Sequence, residues 1–386
     1  MEKINCEDEK IQFLGKIQDL GFVIIVNQSL NIEAVSENIQ KYLPKISSKD
    51  LIGKSLSDAF VLNIAEKDFI LKTIKEIENR PDHKRCTNLI AIDGNPFYLS
   101  ISNSLDAINL EFEISTIQNN NISNIINNKL IALQNEGQDI WDGLTEVLSQ
   151  NLMVDRVMVY QFNEDSSGIV IAETLNRPEL HSYLGLNYPE FDIPRQAREL
   201  YKTKHCRFIV DTDEEGSVIS SLDNRDIDLR DISIRRLSPV HLQYLKNAGF
   251  RSSISFSIII KGELWGLVCC QHETPKHIDL SIRNFSLMAT NFAANKFQQS
   301  EDRERIIYLK EVQKLELQLK EKVLLKTNIF PELREFSKTL IHILEADGIA
   351  IGFEDSVFLE GLHPEKETLR SQVPQLKELA QDHIFT

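Results

Sequence analysis

The sequence predicts an α+β protein of three units built on antiparallel sheets. Three observations carry that expectation. Short apolar runs punctuated by turn residues occupy 20–115 and recur within 123–298, helical stretches lie between them, and an uninterrupted helical segment covers 280–326. At 386 residues, 42% hydrophobic and 26% charged, the chain is of globular composition and too long for one core.

The first unit opens with LGFVIIVNQSLNIEAVS, two strands about a turn at Asn27-Gln28-Ser29. SENIQKYL reads as a short helix with Ser36 as its N-cap. NLIAIDGNPFYLSIS is a hairpin turning at Asp93-Gly94 or Gly94-Asn95, and NLEFEIS returns as an alternating strand. An asparagine-rich joint from Ile117 to Lys129 marks the boundary with the next unit.

In the second unit DRVMVYQF is a strand, and SSISFSIII and ELWGLVCCQ form a long hairpin about Lys261-Gly262. The weakly periodic region between them, with Pro178, Pro189, Pro194 and Pro239, is the kind of insertion that carries function. Its acidic run DTDEEG, Asp211 to Gly216, reads as a solvated turn. From Leu280 to Lys326 there is no Pro or Gly. Phe285, Met288 and Phe292 mark one stripe, and Tyr308, Val312, Leu315, Leu319 and Val323 a second. A continuous helix of that length runs about 70 Å and is expected to serve as connector and dimer seam. PELREFSKTLIHILEADGIAIGF then starts a third unit, helix followed by strand. The stretch 327–386 is short for an independent core and is expected to be part of a larger domain.

The net charge of −15, from 43 Lys and Arg against 58 Asp and Glu, argues against nucleic acid or anionic lipid as partner. No apolar run approaches the ~20 residues of a membrane span, and MEKINCEDEK lacks the features of a signal peptide. A cytoplasmic protein is expected. The cysteines Cys6, Cys86, Cys206, Cys269 and Cys270 are an odd, scattered set and read as free thiols. Adjacent strand positions place Cys269 and Cys270 on opposite faces, which disfavours a metal site. Ser238 and His241 have no nucleophile elbow beside them, and phosphate-binding glycine loops are absent, so no catalyst is expected.

Two segments are chemically loaded. YPEFDIPRQARELYKTKHCRF holds Asp192, pinned by Ile193-Pro194, then Tyr201 and Arg207. IRRLSPVHLQYLKNAGFRSSISFS holds Arg235, His241, Tyr244, Ser253 and Ser255, and His272 ends the next strand. Singly, each has a bland reading: a turn-capping Asp, a core His, solvated arginines. Together they describe a pocket. Ser253 and Ser255 share the strand face where core residues belong, which points to a polar guest, and Arg207 and Arg235 supply forks suited to carboxylates.

These residues carry a resemblance. DIPRQARELY resembles the DIP-x-QAR-x-LY segment of phytochromes, and SPVHLQYLKNAGFRSSISFSIIIKGELWGLVCCQH is similar to the family's SP-x-H to LWGL-to-His stretch. NCEDEKIQFLGKIQDLG resembles the start of bacteriophytochromes, so the likeness spans residues 5–325. It implies an arm at 1–19, a PAS domain at 20–118, a GAF domain at 119–298, a connector helix at 280–326 and a partial PHY domain at 327–386. It also implies a figure-eight knot in which the arm threads a GAF loop.

The implied cofactor is biliverdin, joined by a thioether at Cys6; the family's other attachment position is filled here by Val240. The resemblance gives the Asp192 carbonyl and His241 to the pyrrole nitrogens, and His272 to the D-ring carbonyl. Arg207, Arg235, Tyr201, Ser253 and Ser255 fall to the propionates, and Tyr160, Tyr188, Tyr244, Ile193 and Pro194 to the pocket wall. The expected function is red/far-red photoreception by D-ring isomerisation, in a homodimer formed through the long helix and the GAF surface. No catalysis beyond autocatalytic chromophore attachment is expected. The alternative is a chromophore-free PAS–GAF module binding another small ligand. Departures from the family are Phe191 where a serine is usual, expected to crowd the pocket, Arg195 in place of a small residue, and the lack of a PRxSF-type tongue motif or a kinase.

Overall fold

The computed structural model describes residues 10–59, 64–78, 85–92, 94–104, 107–116, 139–223, 225–324, 330–353 and 356–380. They divide into two compact units, 1–297 and 298–386.

The first unit begins with β1 (Lys16–Ile17), β2 (Gly21–Asn27), β3 (Ile32–Ser36), α1 (Ile39–Tyr42), α2 (Ser48–Leu51), α3 (Leu56–Ala59), α4 (Ile64–Glu78), β4 (Arg85–Ile92), β5 (Asn95–Ser104) and β6 (Ala107–Ile114). The seven-stranded sheet has the order β1-β11-β3-β2-β6-β5-β4, with β11 (Ser217–Ser221) arriving from far along the chain. The period of two along a strand sends Phe22, Ile24 and Val26 into a core with Ile70, Ile74 and Phe97, while Val23 and Ile25 enter the core of the neighbouring domain. This is why GFVIIV is apolar throughout. Phe22 stacks on Phe112 with centroids 4.4 Å apart.

Ser36 does not cap α1. It ends β3, buried, and its Oγ accepts from the Val23 N–H at 3.0 Å; the N-cap position falls to Asn38. The alternation of β6 is also not solvent-facing on its polar side. Glu111 and Glu113 are each 2% exposed: Arg85 of β4 has its Nη2 3.3 Å from Glu111, and from the next domain the Ser233 N–H donates to Glu111 at 2.8 Å and Arg283 pairs with Glu113. Tyr98 O–H and the Thr116 N–H, both at 2.9 Å, donate to Asp279 across the same seam.

The neighbouring domain comprises α5 (Ile140–Leu152), β7 (Arg156–Phe162), β8 (Gly168–Leu175), β9 (Asn187–Tyr188), α6 (Arg195–Thr203), β10 (Cys206–Ile209), β11, α7 (Pro239–Asn247), β12 (Ser252–Ile260), β13 (Glu263–His272) and the start of α8 (Leu280–Leu324). Its antiparallel sheet runs β10-β12-β13-β7-β8-β9. Lys261 and Gly262, both at positive φ, make the tight β12–β13 turn. Val157, Val159, Ile254, Phe256, Val268 and Cys270 pack against Leu144 and Leu148 of α5 and Ala289 and Ala293 of α8. The inward stripe of α8 is therefore Phe285 with these alanines; Met288 is 44% exposed. Small side chains let the helix lie close to the sheet.

The segment 11–18 is held on both sides by 208–236. Gln18 N–H donates to Ile234 O at 2.8 Å and Arg236 N–H to Lys16 O at 3.0 Å, while Ile219 N–H donates to Gly15 O at 3.0 Å on the opposite edge. The Gln18 side chain closes the ring, donating to Phe208 O at 3.0 Å and accepting from Val210 N–H at 2.8 Å. Gly216, at φ +72°, is required here, since a Cβ would stand 2.6 Å from Ile17 O. The acidic run beside it is more than a solvated turn: Asp211 pairs with Arg251 at 2.7 Å, Asp213 with Lys246 at 2.8 Å, and Glu214 accepts from the Asp19 N–H.

The second unit contains the remainder of α8, α9 (Phe330–Glu335), α10 (Ser337–Ile343), the hairpin β14 (Gly348–Phe353) and β15 (Ser356–Gly361), and α11 (Lys366–Ala380). Leu315 and Ile343 are its buried apolar residues among those described, and Lys322 pairs with Glu335 at 2.5 Å. Tyr308 lies outside that stripe, 42% exposed, beside the exposed Ile306, Ile307 and Leu309.

Candidate functional site

One face of the β10–β9 sheet packs on α5 and α8; the site occupies the other. The register sets Ser253 opposite Gln271, Ser255 opposite Cys269 and Arg207 opposite Ser255, then Gln271 opposite Arg156, Cys269 opposite Met158 and Leu267 opposite Tyr160. Cys270 lies in the α5–α8 core, whereas Cys269 packs with Met158, Tyr160, Val170, Tyr188 and Ile193. The opposite orientation of the two cysteines follows from strand alternation. Among the described residues no cluster of three His, Cys, Asp or Glu side chains is arranged to hold a metal.

At the β10 end the face is basic. Arg235 is 5% exposed and donates to Ile11 O at 3.1 Å. Burial and the nearby Arg207 push it down to about 9, so it stays charged at neutral pH under a strain that an anion would relieve. Arg207 stands over the Tyr201 ring with its guanidinium carbon 5.2 Å from the centroid, and its Nε is buried without a hydrogen-bond partner. Among the described residues neither arginine has a carboxylate within ion-pair distance. Ser253 and Ser255 are both 8% exposed, and Ser255 reaches the Tyr201 hydroxyl. Burial and then Arg207 lower His241 to about 4, so its ring is neutral at physiological pH.

The other end is aromatic. Tyr160 is 4% exposed with its hydroxyl unpartnered, its ring centroid 6.0 Å from that of Tyr188. Tyr244 lies nearly parallel to His241, with centroids 6.2 Å apart, and burial raises it to about 12. Asp192 ends the 3₁₀ turn Glu190–Asp192, half-buried, its carboxyl raised by burial; Ile193 and Pro194 lead into α6, where Pro194 O accepts from the Ala197 N–H at 2.9 Å. Arg198, unremarked in the sequence, ties this turn down by donating to Ile193 O at 3.2 Å, Ser166 O at 3.3 Å and Glu190 at 2.5 Å.

Gly168 borders Tyr160 so closely that a Cβ would run into its ring. Gly168→Ala is expected to displace the tyrosine and destabilise the domain by about 1–3 kcal/mol, read from the melting temperature and the near-ultraviolet circular dichroism of the tyrosines. An unchanged tyrosine signal would mean that the ring does not fill that space.

Several expectations are corrected. Phe191 is 70% exposed and does not crowd the pocket. Arg195 is exposed at the start of α6 and lines a separate cleft of about 1990 Å³, with Arg85, Lys204 and Asp228, that includes none of the anticipated site residues. Ser238 caps α7, accepting from the Val240 N–H at 3.2 Å, which accounts for its place beside His241. Above all, His272 is one residue out of phase. It shares the face of Cys270, and its Nδ1 lies 2.9 Å from Asp155 Oδ2; burial lowers its pKa, with Asp155 opposing. Gln271, 6% exposed, takes the pocket-facing position instead. Counting alternation from Ser253 and Ser255 around the Lys261-Gly262 turn, corrected for the irregularity at Ile258/Ile259, is the signal that locates it. Cys6 lies outside the described residues.

Two α+β domains in sequence, the second presenting a buried basic and aromatic face, define a tandem sensory module of the PAS–GAF class. The profile of the PAS fold family matches residues 6–115 and that of the GAF domain family residues 136–295. The chain is 34% identical over 289 residues to the bacteriophytochrome of Pseudomonas aeruginosa, covering 72% of this chain and 38% of that protein. It is 29% identical to cyanobacterial phytochrome B of Nostoc sp., covering 99% of this chain and 52% of that one. Its fold matches the photosensory core module of Stigmatella aurantiaca phytochrome with a TM-score of 0.79 at 24% identity, over 96% of this chain and 75% of that one. The chromophore binding domain of Stigmatella aurantiaca phytochrome P1 matches with a TM-score of 0.68 at 25% identity, over 75% of this chain and 98% of that one. The chain belongs to the bacteriophytochrome family of PAS–GAF modules. It spans about half or less of the length of these curated relatives. Among the described residues no helix is long and apolar enough to cross a membrane.

Proposed function

We propose that this chain is the light-sensing part of a cytoplasmic red/far-red photoreceptor that binds biliverdin covalently through Cys6. The observation that carries the reading is the pair Arg207 and Arg235, charged and without a carboxylate among the described residues, next to an aromatic pocket with an unpartnered Tyr160 hydroxyl. A flat apolar molecule with two carboxylates fits that donor set. Arg207, Arg235, Tyr201, Ser253 and Ser255 hold the carboxylates. Asp192 and the neutral His241 stand at the pyrrole nitrogens, and Tyr160, Tyr188, Tyr244, Ile193 and Pro194 exclude water. When bound, the bilin supplies light absorption and rotation about a double bond at its D ring. Gln271, rather than His272, faces that ring.

The enclosure of 11–18 by 208–236 supports a figure-eight knot in this chain. We assign 1–19 to the N-terminal arm, 20–118 to the PAS domain, 119–298 to the GAF domain, and 327–386, after the helix of 280–326, to part of a PHY domain. The exposed Ile306, Ile307, Tyr308 and Leu309 of α8 support a homodimer through that helix. The chain performs no catalysis beyond its own chromophore attachment.

The test is an absorption spectrum of the chain with biliverdin under alternating red and far-red light, alongside Cys6→Ser. A red band that survives denaturation in the unaltered chain but not in Cys6→Ser is expected. No uptake of biliverdin would sink the reading and leave a PAS–GAF module for another small ligand.

A further inference from the structure

Resting on that reading, we propose that Arg156, backed by Glu173, is a positioning residue that turns the Gln271 amide so that its N–H₂ side, not its oxygen, meets a carbonyl of the ligand. Arg156 is 1% exposed and sits opposite Gln271 in the register. Its Nη1 donates to Gln271 Oε1 at 3.5 Å. A guanidinium only donates, so it must take the amide oxygen, and the two Nε2 hydrogens are left for the pocket. At physiological pH the amide so held offers donors to whatever fills the site, and it selects an acceptor.

Arg156 has little freedom to do otherwise. Its Nε lies 3.0 Å from Glu173 Oε1, a charge contact off the hydrogen-bond axis, and its Nη2 donates to His181 O. The guanidinium carbon lies 3.5 Å from the centroid of the Tyr183 ring and 5.6 Å from that of Phe250. Glu173 is anchored in turn, accepting from Ser182 O–H at 2.5 Å and the Tyr183 N–H at 3.0 Å. A chain of polar contacts thus runs from the exposed loop at 181–183 to the buried amide, and each member needs the next to be satisfied.

Two measurements test this. In the ligand-free chain, the side-chain amide resonances of Gln271, assigned by their loss in Gln271→Met, are expected to exchange slowly with solvent. They should exchange faster in Arg156→Met combined with Glu173→Gln, which removes both buried charges together and keeps the fold. With biliverdin in a Cys6→Ser background, where binding stays reversible, Gln271→Met is expected to weaken affinity about five- to tenfold and to move the red absorption maximum. Gln271→Glu should weaken it further by setting oxygen against oxygen, and the Arg156→Met/Glu173→Gln pair should move the band in the same direction as Gln271→Met. Uptake with affinity and spectrum unchanged in Gln271→Met would overturn the proposal while leaving the photoreceptor reading intact. Amide exchange indifferent to the Arg156 change would overturn the positioning role. If the unaltered chain takes up no biliverdin, the functional reading falls and the ligand contact with it.

Discussion

Arg207→Met combined with Arg235→Met is expected to weaken reversible biliverdin binding, measured in the Cys6→Ser background, by about a hundredfold or more. Two charge-assisted contacts to carboxylates would be lost, each worth about 1.5–3 kcal/mol. The ligand-free chain should lose no more than the Arg235 bond to Ile11 O, about 1 kcal/mol, because both charges stand without a carboxylate among the described residues and burial already strains Arg235. A dimethyl ester of biliverdin separates this from a general disturbance of the pocket. The unaltered chain should lose as much affinity toward the ester as the double variant loses toward the free acid, and the double variant should not distinguish the two ligands. An affinity unchanged by removing both arginines would eliminate them as the carboxylate site.

Arg283→Met should destabilise the chain by about 3–5 kcal/mol, since it leaves the buried Glu113 with only His277, 3.6 Å away, at the seam between the domains. Both side chains are 2% exposed, and the Arg283 guanidinium carbon also lies 3.8 Å from the centroid of the Phe208 ring. Burial pushes the Glu113 carboxyl up, but Arg283 and His277 more than offset it, and its pKa lies below the ordinary carboxylate value. The pair's contribution is therefore present above the unfolded carboxylate pKa and lost as the pH falls through the lower folded value. In Arg283→Met only His277, 3.6 Å away, is left to oppose burial, so the folded pKa rises and the loss of stability on acidification should be smaller than in the parent. Adding Glu113→Gln should restore most of the loss at neutral pH. Melting temperatures across the acid range decide it, and a variant that weakens with falling pH as much as the parent does would show that Arg283 does not hold the Glu113 carboxyl down.

What could be read from the sequence was local. The hairpin at Lys261-Gly262 and the strands about Asn27 were marked by turn chemistry and period, which neighbouring residues set between themselves. The orientation of Ser253 with Ser255, and of Cys269 against Cys270, followed from the same rule, and the charged forks at Arg207 and Arg235 from residue type alone. His272 and Ser36 show where the rule gave out. A bulge shifts pairing between β12 and β13 at Ile258/Ile259, and only the register, which belongs to two strands at once, tells Gln271 from His272. Ser36 looked like a cap because the next residues form a helix, yet its hydroxyl is taken by β2.

By itself the sequence determined the class of the chain, its two sheets and most of the pocket's chemistry, because side-chain identity and strand period are properties of short stretches. Only the tertiary structure decided which polar groups are buried and with whom. Glu111 and Glu113 are only the polar positions of an alternating strand in the sequence, and they lie against Arg85 and Arg283; DTDEEG read as a solvated turn and instead meets Asp19, Lys246 and Arg251. Charge pairing across tens of residues, or between Glu113 and Arg283 across more than a hundred, leaves no mark on local pattern, since a carboxylate on a strand is written the same whether water or a guanidinium faces it.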